Sequence, residues 1–261
     1  MSPERLTTSI RLACAMAALL LAMPHRATAE PDPEAAAGGR PVQDPLPAKP
    51  PKGAIVLFGD GGEGPPKFTA MDGGPLDWKV VDGALVVNAT DGHANHAVST
   101  EVFRDADIHA EFMTDARERG NSGLYIHGHY EMQIFDSFGV ESPTGQDEGA
   151  LYRFAKPLVN AARRTGEWQV YDIRFTAPRR DAAGKVTKPG SLTAWLNGRL
   201  VQDGVEFGEP RSPYVPYKYG VTDHLRGAEK RLRETGFGPL FLQDHGSPTR
   251  YRNVWIRPRG E

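Results

Sequence analysis

Cysteine is almost absent from this sequence: Cys14 is the single one in 261 residues. It lies inside the apolar run Leu12 to Met23, which comes after Arg5 and Arg11 and precedes Ala27-Thr28-Ala29. A basic start, a short apolar stretch and small residues at a cleavage position read as a secretory signal peptide over 1–29. The run is about a dozen residues, short of the roughly 20 that a membrane helix needs. With that segment removed the chain holds no cysteine, which excludes disulfides, thiol catalysis and thiolate metal sites. The expected destination is outside the cytoplasm, in the periplasm or the external medium. Strong charge of one sign is missing too. A formal net charge of -2 gives no electrostatic reason to expect nucleic acid as a partner. No other segment is long and apolar enough to span a membrane, and no pattern fixes an oligomeric state. Also missing are a glycine-rich phosphate loop, a Gly-x-Ser-x-Gly elbow, a His-Glu-x-x-His helix and any repeat of fixed period. These absences count against nucleotide chemistry, serine hydrolysis and helix-borne zinc proteolysis.

Residues 30–52 are rich in Pro, Ala and Gly and poor in large apolar residues. Such a stretch cannot bury enough surface to offset its ordering entropy, so it reads as a disordered linker. One domain is expected over 53–261, opening with the apolar run Ile55-Val56-Leu57-Phe58. Beyond that run the chain is a series of short β-rich segments bounded by Gly, Asp, Asn and Pro. Asp82-Gly83 and Asn197-Gly198 are two-residue hairpin signals that demand positive φ. Helical periodicity does not alternate with these segments, which argues against a parallel α/β fold. About eleven strands in roughly 200 residues predict an antiparallel two-sheet jelly-roll sandwich. One short helix is expected near 222–234, inside an insertion from Pro210 to Gly236. It is either a solvated loop helix or a lid.

Side-chain alternation sorts the strands into faces. In Tyr130–Asp136, Tyr130, Met132 and Ile134 point to the core, while His129, Glu131 and Gln133 form a polar row on the other face, about 7 Å apart at each second residue. Asp136 ends the run as a second carboxylate, and paired carboxylates suit attack on a glycosidic bond. Leu240–Gly246 repeats the pattern, with Gln243 and His245 facing away from Leu240 and Leu242. His245 has the ring chemistry of a general base or metal ligand. In Trp168–Phe175 the core set is Tyr171, Ile173 and Phe175, which turns Trp168, Asp172 and Arg174 outward. An outward Trp beside charged groups suits a sugar, whose apolar face stacks on indole. Trp78, Trp195 and Trp255 read as core. Tyr152 sits in a loop from which it could reach a cleft. His127, His129 and Glu131 could hold zinc or manganese, and the loop with His93 and His96 could equally be a calcium turn.

Taken in order, these segments resemble the bacterial 3-keto-disaccharide hydrolase family, whose fold is concanavalin-like. The resemblance runs through Leu57-Phe58, Trp78…Asp82-Gly83-Ala84-Leu85, Asn121-Ser122-Gly123, Tyr130-Glu131-Met132-Gln133-Ile134-Phe135-Asp136-Ser137 and Gly149-Ala150-Leu151-Tyr152. It continues through Glu167-Trp168, Asn197-Gly198, Gly238–Gly246 and Tyr251–Ile256. The run Gly59-Asp60-Gly61-Gly62-Glu63 and the length of the 210–236 insertion depart from the family pattern. The resemblance implies action on sugars oxidised at carbon 3. There a base removes the C2 proton, the C1 substituent leaves and water adds, giving a net hydrolysis. It implies Glu131 or His245 as base, with Gln133, Asn121 and Gln243 holding hydroxyls. The enolate would fall to Arg174 or a metal. The same fold would also serve a non-catalytic carbohydrate-binding module, if these residues line a shallow surface instead of a cleft.

Overall fold

The structure, a computed structural model, describes residues 46–59, 64–88, 95–115, 120–218 and 221–260. The expected signal peptide, the linker up to residue 45, His93 and residues 60–63 lie outside the described residues.

Two antiparallel sheets form the body of the sandwich. The larger has the order β13 (Arg199–Phe207), β12 (Gly190–Leu196), β9 (Gln169–Thr176), β6 (Ala106–Met113), β15 (Arg250–Pro258), β4 (Ala84–Val86) and β3 (Lys79–Val81). A further strand, β1 (Ile55–Phe58), also pairs with β15. The smaller sheet has the order β2 (Phe68–Thr69), β5 (Ala97–Phe103), β14 (Gly238–Leu242), β7 (Asn121–Ile126) and β8 (Tyr130–Phe135). A two-stranded ribbon, β10 (Arg179–Arg180) with β11 (Val186–Lys188), stands apart. The hairpins at Asp82-Gly83 and Asn197-Gly198 have positive φ at all four residues (51°, 71°, 51° and 79°), as the sequence requires.

The core forms where the inward residues of both sheets meet. Leu124, Ile126, Met132, Ile134, Leu240 and Leu242 from the smaller sheet pack with Ile108, Phe112, Tyr171, Ile173 and Phe175 from the larger. Trp78 joins them. Trp195 and Trp255 do not. They are buried, but on the outer face of the larger sheet, where the register sets Trp195 opposite Asp172 and Trp255 opposite His109. Alternation alone cannot separate a residue buried between sheets from one buried behind a sheet.

That outer face carries a buried polar cluster. His109 Nδ1 lies 2.9 Å from Asp172 Oδ1, and its Nε2 lies 3.6 Å from Glu111 Oε1. Its ring stacks on Trp255 at 4.9 Å. Burial draws the His109 pKa down, but the bonds to Asp172 and Glu111 outweigh it and hold the ring above its ordinary value. The stretch expected to be linker reaches this cluster. The Ala48 N–H donates to Glu111 Oε1 at 2.9 Å, and the Ala48 carbonyl accepts from Asn253 Nδ2 at 2.5 Å. Residues 46–52 therefore belong to the folded unit at their docking point, because main-chain bonds replace the side-chain burial that their composition lacks.

The single helix among the described residues, α1 (Asp223–Thr235), comes within a residue of expectation at each end. Thr222 Oγ1 accepts from the Leu225 N–H at 3.2 Å, and Gly236 closes the helix at φ 75°. It is not simply solvated. Leu225, Ala228 and Leu232 pack with Tyr217 and Met71 onto Val98, Tyr125 and Phe241, covering part of the smaller sheet's outer face. No helix in the described residues is long and apolar enough to cross a membrane.

Candidate active site

The outer face of the smaller sheet is a grid fixed by strand register. Tyr125 on β7 lies opposite Glu131 on β8 and Phe241 on β14. One row along, Gly123 lies opposite Gln133, and the Gln243 N–H donates to the Gly123 carbonyl at 2.9 Å. The next row begins with Asn121, whose Nδ2 donates to His245 Nδ1 at 3.3 Å. Residues opposite one another in such a ladder have Cβ atoms about 4.5–5.5 Å apart. Glu131, Gln133, Gln243 and His245, each singled out by alternation, thus share one face with Asn121. Tyr152 also comes to this side. Its N–H donates to the Glu131 carbonyl at 2.9 Å.

Glu131 is the centre of the grid. Only 5% of its surface is exposed, and burial pushes its carboxyl up to about 7 against the hydrogen bond from Tyr125, which lowers it. Its position depends on Gly123. A Cβ there would stand 2.7 Å from Glu131 Oε1 and 3.2 Å from Gln243 Oε1. The missing side chain is the space in which the carboxyl lies.

The polar groups around Glu131 are arranged to meet a ligand. Gln243 Nε2 donates to the Tyr125 hydroxyl at 3.1 Å, while Gln243 Oε1 and Gln133 Oε1 are buried and have no protein hydrogen-bond partner. Two unpaired acceptors beside a buried carboxyl suit hydroxyl groups, since an orphaned buried oxygen is costly until something donates to it. Burial, with Glu131 next, raises Tyr125 well above the ordinary phenol range. It therefore stays a neutral hydrogen-bond donor. His96 completes the set. Burial first and His245 second lower it to about 4, and its Nδ1 accepts from the Asp244 N–H at 3.1 Å. That bond puts the proton of the neutral ring on Nε2.

Four expected site residues are elsewhere. Trp168 and Arg174 face outward as alternation requires, but from the larger sheet, on the opposite side of the sandwich. Arg252 covers Trp168 at 3.9 Å, and Arg174 Nε reaches Asp107 at 3.6 Å. Alternation assigns a face but not a sheet. Asp136 does not join Glu131. Its charge acts on the fully buried Glu148, whose carboxyl burial raises well above the usual range. His129 sits in the β7–β8 turn with its ring 5.0 Å from Tyr217, because positive φ at His127 and Gly128 (56° and 65°) breaks the alternation. His127 turns back between Phe103 and Phe175, 4.9 Å from each. Among the described residues no group of three His, Asp or Glu is placed to hold a metal ion, so the His127–His129–Glu131 set does not form.

Tyr125 is not among the residues that the sequence singles out, and His96 enters there only through a loop that could be a calcium turn. Tyr125 shares alternation with Gly123 and lies opposite Glu131. His96 shares it with Val98, one residue before the expected strand start.

A family model for the 3-keto-alpha-glucoside-1,2-lyase-like domain matches residues 53–257. A solved protein of Parabacteroides distasonis, named as a candidate glycosyl hydrolase, is 30% identical. The match covers 80% of this chain and 85% of that one, with a TM-score of 0.65. A second such protein from the same organism is 20% identical, covers 79% of this chain and 99% of that one, and has a TM-score of 0.50, a likeness of fold alone. No curated protein sequence matches.

Proposed function

Since this chain belongs to the 3-keto-alpha-glucoside-1,2-lyase-like domain family, we propose that it is an exported enzyme cleaving glycosides already oxidised at carbon 3. The observation that carries this reading is the Glu131 carboxyl, buried beside the unpaired amide oxygens of Gln133 and Gln243 and pushed up to about 7 by that burial. A general base is most effective with a pKa near working pH. A module that only binds sugar has no need of one. The basic start and apolar run of the first 29 residues support export.

The ketone at C3 acidifies the neighbouring C2–H. Glu131, ionised, takes that proton, and the electron pair moves into an enolate with its charge on O3. The C1–O bond then breaks, its electrons leave with the aglycone oxygen, and that oxygen takes up a proton. The product is a C1=C2 enone, to which water adds for net hydrolysis. Tyr125 gives its single O–H to Glu131 while that carboxyl is ionised; once Glu131 has taken the C2 proton, the phenol O–H is released to O3, replacing Arg174 in that role. His245, at the exposed rim with the Asn121 N–H on its Nδ1, offers its Nε2–H as a hydrogen bond to the leaving oxygen, which takes its proton from water. Gln133, Gln243 and Tyr152 hold hydroxyls.

The test is incubation with 3-keto-trehalose, 3-keto-sucrose and a 3-keto aryl glucoside beside their unoxidised parents, with a C2-deuterated 3-keto substrate as a further arm. Cleavage of the oxidised sugars only, slowed by deuterium at C2 and abolished in Glu131→Gln, is expected. Equal cleavage of the parents, or full turnover by Glu131→Gln, would overturn the reading.

A further inference from the structure

A second concavity lies away from Glu131. Its volume is about 660 Å³, within the range of roughly 300–1,000 Å³ typical of small-molecule sites. The β10–β11 hairpin forms one wall and the last turn of α1 another, with the β7–β8 turn at the inner end. Glu131, Gln243 and His245 take no part in it.

Three guanidinium groups reach this space from elements far apart in sequence: Arg104 after β5, Arg180 on β10 and Arg233 on α1. Arg180, with its side chain 22% exposed, pairs at 2.7 Å with the more exposed Glu209 and donates to the Gly184 carbonyl at 2.8 Å. Arg233, itself 69% exposed, pairs at 2.8 Å with Glu229 one helical turn away. The Arg233 pair, within one exposed helical turn, contributes little and gives way to a better partner. Arg104 Nη2 donates at 2.9 Å to a neutral carbonyl, that of Thr235. Arg179 differs, because its fork is closed on both oxygens of Asp105. The Asp181 carboxylate is committed to its own turn, where Oδ1 accepts from the Ala183 and Lys185 N–H groups.

At the inner end of the cavity burial above all holds the His129 ring down to about 3, with Arg180, Arg233 and Lys218 adding to the effect, while Glu234 also lines the space near the helix end. The ring is therefore neutral, and its buried Nδ1 has no hydrogen-bond partner. The cavity offers no exposed aromatic ring on which an uncharged sugar could stack, since Tyr130 is buried. Guanidinium forks approaching from three directions match the planar or tetrahedral oxygens of an oxyanion.

We infer that this cavity binds an oxyanion, a carboxylate or phosphate group carried on a small molecule, at a site distinct from the polar face around Glu131. The helix α1 supplies one of its walls.

The experiment is an NMR titration of the full chain, at constant ionic strength, with inorganic phosphate, glucuronate and glucose in separate arms. At least one anion is expected to shift the His129 and arginine side-chain signals saturably, whereas glucose leaves them in place. Arg180→Gln and Arg233→Gln each weaken that binding by at least about tenfold, the loss of one charge-assisted contact, and Glu131→Gln leaves it unchanged. Tighter phosphate identifies a phosphate group, and tighter glucuronate a sugar acid. If neither anion saturates, if binding survives both arginine changes, or if glucose gives the same shifts, the inference fails. Arg233 is exposed on its helix, so its substitution keeps the test open even where Arg180→Gln does not fold.

Discussion

Glu131→Gln separates stability from activity in a way that few structural roles would reproduce. In the folded protein the carboxyl is displaced from its ordinary 4.5 to about 7, chiefly by burial. The native state therefore holds a proton that the unfolded chain has already released, and stability falls as pH rises from about 4.5 to 7. Above that window the cost of the buried charge levels off at about 3 kcal/mol. Glutamine keeps the shape without the charge. At this chain length each kcal/mol moves the midpoint of melting by about 2–4 °C. At pH 8 the variant is expected to melt roughly 6–12 °C above the parent, and at pH 4 the two converge. Activity moves the other way. The base must be ionised, so kcat/KM of the parent rises with pH through about 7 and then levels off, while the variant loses about 10²–10⁴-fold. Differential scanning calorimetry across pH 4–8, with turnover of a 3-keto aryl glucoside, reads both. A variant with the parent's melting profile at every pH, or one that keeps its activity, would refute the reasoning.

Other changes probe the same structure. Tyr125→Phe removes the bond that lowers the Glu131 carboxyl, so the rising limb of the pH–rate profile moves to higher pH and kcat falls. Gly123→Ala brings a methyl group to 2.7 Å from Glu131 Oε1, and kcat/KM is expected to drop by at least about tenfold with a stability loss near 1–3 kcal/mol, seen by denaturant titration. Asp172→Ala strips a buried imidazole of its closest partner and costs about 3–5 kcal/mol, while turnover per folded molecule is unchanged. The His109 contribution is complete below the ordinary histidine pKa and is lost as pH rises through the raised folded one, so the cost of Asp172→Ala shrinks in alkali. Thr222→Ala removes the α1 cap at a cost of about 1 kcal/mol, measured as a melting shift of about 2–4 °C.

Much of this arrangement was legible because it depends on local rules. Alternation in β8 and β14 put Glu131, Gln133 and Gln243 on one face, and the Asp-Gly and Asn-Gly pairs marked two hairpins correctly. What stayed hidden depends on contacts distant in the chain. Trp168 and Arg174 obey the same alternation as Glu131, but β9 pairs with β6 and β12 in the other sheet, and nothing within β9 records that. His129 misled because a turn with positive φ interrupts the alternation just before β8. Tyr125 looks like one more apolar strand residue until register sets it opposite Glu131. The apolar side of α1 is too short a pattern to show which surface it would cover.

The docking of Ala48 has a meaning of its own. Both of its bonds use main-chain atoms, one offered to Glu111 and one taken from Asn253. The cluster around His109 thus recognises the path of the backbone and is indifferent to the side chain at that position. The join between this domain and whatever precedes it is written in a script that, proline apart, substitution at that position does not erase. Two relatives could share the join while agreeing at none of the residues that form its near side.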